Sequence, residues 1–165
     1  MEQDRRLVVA GTGHRNFGDD DLEQIVRDWL NNRISELQPT LIITGMALGF
    51  DTWLAKEALR QEIPFIAAVP FQDQDARWHK LRQTEYRNLL KQAQEVRVVS
   101  RGSYAAWKFQ KRNEWMVDRA DLVLAAWDGR PVGGTANCVA YAKRANVPLE
   151  YLPGLQPDPV GERDD

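Results

Sequence analysis

Short unbroken apolar runs alternate along this chain with longer stretches in which apolar residues recur every three or four positions. Leu7-Val8-Val9-Ala10 breaks abruptly into Gly11-Thr12-Gly13, which predicts a buried strand over residues 5–10 entering a glycine loop. Asp19, Asp20 and Asp21 then supply N-cap and dipole-compatible charge ahead of Leu22, Ile25, Val26, Trp29, Leu30, Ile34 and Leu37, one apolar face of a helix that ends before Pro39. The alternation recurs: a strand at 41–44, a loop at 45–49, a helix from Asp51, and a strand at 64–69. A helix over 78–93, a short strand near 96–99 and a helix over 104–119 follow. The apolar run 121–127 predicts another strand, then a turn at Asp128-Gly129, a helix and a last strand near 148–152. Continuous apolar strands separated by helices predict an α/β domain with a mainly parallel sheet covered by helices on both faces.

Length and composition narrow the classes without naming a function. A chain of 165 residues suits one domain, expected over residues 1–152, with a proline- and glycine-bearing tail, LPGLQPDPVGERDD, placing residues 153–165 outside the core. Apolar residues at 43% and charged residues at 28% are the balance of a soluble globular protein, and no apolar run approaches the roughly 20 residues of a spanning helix. The start MEQDRRLVVAGTGHR lacks a signal-peptide layout, so a cytoplasmic protein without membrane contact is expected. One cysteine and two histidines, His14 and His79, argue against a disulfide framework or a metal site, and the pattern implies no cofactor. A formal net charge of −2 argues against bulk attraction for nucleic acid.

Candidate chemistry therefore rests on loops. In a parallel α/β sheet, ligands bind beyond the carboxyl ends of the strands, where helix N-termini offer free N–H groups. Three glycine-bearing loops fall at that edge: Gly11-Thr12-Gly13-His14-Arg15, Gly45-Met46-Ala47-Leu48-Gly49, and Gly133-Gly134-Thr135. The first opens like a dinucleotide fingerprint but has Asn16 where a third glycine would fall, so its glycines either permit a tight turn or admit an anion gripped by Arg15. His14, with no adjacent base or nucleophile, reads as a hydrogen-bonded loop residue. Glycines 133 and 134 let backbone approach an anion, and Thr135 can cap the helix or donate its hydroxyl to a phosphate. Asp51 either ties its loop together or accepts from a ribose hydroxyl. Arg77-Trp78 either clamps a ligand by charge and stacking or is a solvated cation beside a core aromatic. Lys108, Lys111, Arg112 and Arg119 crowd one helix as a basic rim or a solvated face.

The motifs GTGHR, TGMALGFDTWLA, VPFQDQDARW, KRNEWMVDRADLVLAAWDG and GGTANCVAYA, in this order over roughly residues 5–150, resemble the YpsA-like branch of the SLOG superfamily. That group includes the DNA-processing protein A family and the LOG phosphoribohydrolases. The resemblance implies a single Rossmann-like three-layer domain that binds a nucleotide or a nucleotide-derived ligand such as ADP-ribose or NAD fragments. Carried over by position, the ligand edge comprises Gly11, Thr12, Gly13, His14, Arg15, Gly45, Met46, Ala47, Gly49, Asp51, Pro70, Phe71, Arg77, Trp78, Arg112, Asn113, Asp128, Gly133, Gly134 and Thr135. The group is compatible with a homo-oligomer, whose order no sequence feature sets.

The resemblance also bears on catalysis. LOG hydrolases place a glutamate three residues after the threonine of this last turn, and here that position is Cys138. A neutral thiol on a small-sided helix stabilises an oxocarbenium-like centre poorly and reads as a small buried hydrophobe. Glu85 and Glu114 remain the carboxylates available to an N-glycosidase or nucleoside transferase, and DNA binding is a third class by analogy. The sequence points to ligand sensing ahead of either, with no catalytic residue assigned.

Overall fold

The computed structural model describes residues 5–155. Eleven elements alternate: β1 (Val8–Gly13), α1 (Asp20–Leu37), β2 (Leu41–Thr44), α2 (Phe50–Arg60), β3 (Phe65–Val69), α3 (Lys80–Gln92), β4 (Glu95–Val98), α4 (Trp107–Asp118), β5 (Leu122–Ala126), α5 (Gly134–Arg144) and β6 (Leu149–Tyr151). The strands form one six-stranded sheet in the order β4-β3-β2-β1-β5-β6, and every pairing is parallel. This is the Rossmann-like α/β architecture.

Strand alternation divides the core. Val9, Ile42, Phe65, Ala67, Val69 and Leu124 pack with Val26 and Leu30 of α1, Phe50 and Leu54 of α2, and Leu89 of α3. The intervening residues Val8, Ala10, Ile43, Ile66, Ala68 and Val123 pack with Met116 and Val117 of α4 and Cys138 and Ala142 of α5. Side chains that point to opposite faces along each strand thus hold α1–α3 on one side and α4–α5 on the other. The chain reverses direction across the sheet between β1 and β5, which opens a crevice at their carboxyl ends.

Local boundaries differ from the sequence expectation in informative ways. β1 begins at Val8 and runs through Gly13, so the anticipated glycine loop is the end of a strand, pairing Gly11 with Leu124 and Gly13 with Ala126. α4 starts at Trp107 instead of 104, because the Lys108 ammonium donates to the carbonyls of Arg101 and Ser103, both at 2.5 Å, and holds the preceding segment as a loop. At α1 the expected cap forms: Asp19 Oδ1 accepts from the Leu22 N–H at 2.9 Å. Ile25, placed on the apolar face of that helix, is instead 53% exposed. Of the expected tail, residues 156–165 lie outside the described residues. Among the described residues, no helix is long and apolar enough to cross a membrane.

Candidate functional site

The crevice is built from the ends of β1 and β5 and the helices that face them. His14, just beyond β1, accepts from the Asp128 N–H through Nε2 at 3.1 Å, which ties the two strand ends together. Partial burial lowers the His14 pKa against the opposing influence of the Asp128 carboxylate, so the neutral ring carries its proton on Nδ1. Asp128 also accepts from Arg130 Nε at 2.7 Å, and its carboxylate is used within this turn. The His14 carbonyl receives the Phe50 N–H at 3.2 Å, which seats the first turn of α2 beside the same edge.

A polar compartment of about 470 Å³ opens there, lined by residues 11–15, Ala47, Asp51, the Phe109–Met116 face of α4 and the start of α5. Arg112 is its buried cation, 6% exposed; it donates to the carbonyls of Gly45 at 2.5 Å and Ala68 at 3.2 Å, and through Nε to Asn113 Oδ1 at 3.1 Å. Asp51, 7% exposed, accepts from the Ala47 N–H at 3.2 Å. Burial pushes the Asp51 carboxyl up to about 6, opposed by the charge of Arg112 and the Ala47 N–H, while burial lowers the Arg112 pKa. The two flank Gly45: a Cβ on that glycine would stand 2.7 Å from Arg112 Cζ and 2.9 Å from Asp51 Oδ2. Only a residue without a side chain fits between them.

Across the compartment, Gly133 stands at the N-cap of α5 with a φ of 101° that glycine adopts without penalty, and no side chain caps the helix. Thr135 stands inside the first turn and is buried, so the expected threonine cap is replaced by a glycine. Cys138 lies one turn further in, 1% exposed, with burial pushing its thiol up to about 11. That environment suits a small core residue and leaves essentially no thiolate near neutral pH.

A second compartment of about 500 Å³ adjoins the first and is lined by Phe71, Asp73, Gln74, Ala76, Arg77, Trp78 and Tyr104. Arg15 and Phe109 belong to the walls of both. Phe71 meets Phe109 edge-on at 5.4 Å and Tyr104 at 5.8 Å, and Trp78 rests against Tyr86 at 5.0 Å. Arg15 is exposed and, among the described residues, makes no ion pair within 4.0 Å.

Of the sequence candidates, Gly11, Thr12, Gly13, His14, Arg15, Ala47, Asp51, Arg112, Asn113, Gly133, Gly134 and Thr135 line the polar compartment, and Arg15, Phe71, Arg77 and Trp78 the aromatic one. Gly45, Met46, Gly49, Pro70 and Asp128 are in neither wall; Gly49 packs on the Arg15 backbone and Met46 is fully buried. Gln74, Tyr104, Phe109, Gln110, Val132 and Asn137 line the cleft without having been singled out. For Phe109 a signal exists: Phe109, Arg112, Asn113 and Met116 recur at helical spacing on one face. The basic rim does not form, because Lys108 is buried on carbonyls, Lys111 lies 3.9 Å from Glu114, and Arg119 covers Trp115 at 4.1 Å. Glu85 pairs with Lys56 on the far helix layer, and neither it nor Glu114 lines the cleft.

Comparisons with known proteins agree with this architecture. The model of the YpsA family, described as the YspA SLOG family, matches residues 14–153. The uncharacterized SPbeta prophage-derived protein YoqJ of Bacillus subtilis is 34% identical over 119 residues, covering 62% of this chain and 68% of its own. Among solved structures, DNA processing protein A from Helicobacter pylori, known for its single-stranded DNA binding mode, superposes with a TM-score of 0.67 at 18% identity. The alignment covers 88% of this chain and 64% of that one, so this chain spans less than two thirds of its neighbour. The molybdenum cofactor binding protein of Rippkaea orientalis superposes with a TM-score of 0.63 at 18% identity, over 96% of this chain and 82% of the other. At such identity these two structures share the fold with this chain.

Proposed function

Because the chain belongs to the YspA SLOG family, we propose that it binds a nucleotide or nucleotide-derived ligand of the ADP-ribose or NAD kind across the two compartments. The observation that carries this reading is the position of Arg15. It is an exposed guanidinium in the wall shared by a compartment with an uncapped helix start and one lined by aromatic rings. A ligand with a phosphate end and a planar end fits that sequence of environments. Arg15, the first-turn N–H groups of α5 and the Thr135 hydroxyl receive the phosphates, and the positive end of the helix favours their charge. The planar end enters between Phe71, Trp78 and Phe109.

Binding is favoured over catalysis by what stands near the ligand. Cys138 occupies the place of the glutamate that the related hydrolases use, and its buried thiol is poorly ionised. Titration calorimetry of the full chain with ADP-ribose, NAD and AMP tests the proposal. Saturable binding is expected, with Arg15→Ala weakening it about tenfold, the equivalent of about 1.4 kcal/mol for one charge-assisted contact. Absence of binding to all three, or binding to single-stranded DNA that falls steeply with salt, would overturn it.

A further inference from the structure

Among the described residues, the Gln74 side chain, in the aromatic compartment, holds the one buried side-chain polar atom left without a partner. Gln74 is 7% exposed and lines the cavity. Its Nε2 donates to the carbonyls of Met46 at 3.3 Å and Gly45 at 3.4 Å and to the Tyr86 hydroxyl at 3.4 Å. Carbonyl oxygens only accept, so these contacts fix which end of the amide is nitrogen. Among the described residues, Oε1 is then a buried acceptor with no partner. Buried acceptors in folded proteins are ordinarily paired, and an orphan beside a cavity calls for a donor that the chain does not itself supply.

We propose that Gln74 is the base-reading residue of this site, and that a small shift of its amide, held only by contacts of 3.3–3.4 Å, brings the enclosed Oε1 to the cavity, where it accepts a hydrogen bond from the exocyclic amine of a purine held among the aromatic side chains. The inference rests on the nucleotide reading above and deepens it. Edge-on packing of Phe71, Tyr104 and Phe109 provides apolar contact for a flat ring. Rings, however, accept any planar group, whereas one fixed acceptor discriminates amine from oxygen or hydrogen at a single ring position. Gly45 and Met46, which orient Gln74, belong to the loop whose Gly45 carbonyl also accepts from Arg112 of α4, so base reading and anion binding share one support. Adenine and guanine both carry such an amine, at different ring positions, and matched pairs of ligands separate them.

The full chain is titrated with ADP against purine riboside diphosphate, which lacks only the 6-amine, and with GDP against IDP, which lacks only the 2-amine. Inorganic pyrophosphate is the base-free control. About a tenfold preference for the amine-bearing member is expected in one pair, and that pair identifies the base. Gln74→Met, close in shape, is expected to abolish the preference while pyrophosphate affinity holds. Equal binding within both pairs, or a Gln74→Met variant that weakens both members of the preferred pair alike, overturns the assignment. If pyrophosphate still binds and Arg15→Ala removes it, the anion site stands and only the base assignment fails. If nothing binds, both fall.

Discussion

Gly11 and Gly13 at the end of β1 and Gly133 and Gly134 at the start of α5 lie on the same sheet edge, yet the space beside them is used in opposite ways. A Cβ on Gly11 would stand 2.6 Å from Leu54 Cδ2, and one on Gly13 would stand 2.6 Å from Phe50 Cδ2, so the protein's own core fills the room those glycines leave. Beside Gly133 and Gly134 nothing lies within 4 Å. Gly45 is intermediate, its space taken by the polar groups of Arg112 and Asp51. The first pair serves close packing of α2 on the sheet, and the second leaves backbone open to a ligand. A glycine at a strand or helix end is thus read by what replaces its side chain.

The strongest test of this difference is Gly13→Ala. The added methyl meets a ring that is fully buried and has no room to retreat, and overpacking of this kind costs about 2 kcal/mol. A lower urea midpoint at unchanged slope is the expected result. Trimming the ring in a Gly13→Ala, Phe50→Leu double variant should recover part of the loss, since residues in contact do not act additively. A Gly13→Ala chain as stable as the parent would erase the distinction between the two pairs.

Much of this contrast escapes a sequence reading for a physical reason. The alternation of apolar runs and amphipathic stretches is local, so the order of elements, the parallel sheet and the two helix layers were legible in it. That β1 continues through Gly13 depends on pairing with β5, whose residues lie more than a hundred positions away and carry no local mark. The same holds for Gln74, which sits in a polar, irregular segment and acquires meaning only where the Gly45–Met46 carbonyls meet it. Arg112, one of a crowd of cations by composition and set apart in the sequence only by the family resemblance, differs from Lys111 and Arg119 because its face of α4 turns toward the crevice. Spacing identified where backbone is exposed at the sheet edge; contacts distant in sequence decided which of those positions face the cavity.

Gly134→Ala sharpens the other side of the contrast. Alanine at the first position of a helix meets no neighbour here and is a better helix former than glycine, so stability should move by less than about 1 kcal/mol, in the stabilising direction. The methyl instead enters the space proposed for the phosphates beside the α5 amides. Affinity for ADP-ribose is expected to fall about tenfold by calorimetry, about 1.4 kcal/mol. A loss of stability with affinity intact would place Gly134 with Gly11 and Gly13 as a packing glycine.

The smallest expected effect concerns the intermediate case, the charges that flank Gly45. Burial raises the Asp51 carboxyl to about 6, so it is largely protonated at about pH 5 and ionised at about pH 8. Ionisation places a negative charge in the wall of the compartment proposed to hold phosphates, and the repulsion is partly offset by Arg112 and Arg15. Anion affinity should therefore be higher below about pH 6 and fall severalfold as pH rises through it. ADP-ribose is the suitable probe, because its pyrophosphate diester keeps its charge across that range. His14 titrates below its usual range and would act in the same direction, so the informative variant is Asp51→Asn, which keeps an oxygen for the Ala47 N–H but cannot ionise. Its affinity should change little between about pH 6 and about pH 8. A parent-like decline in Asp51→Asn would move the titration to another group and leave Gly45 as a spacer for Arg112 alone.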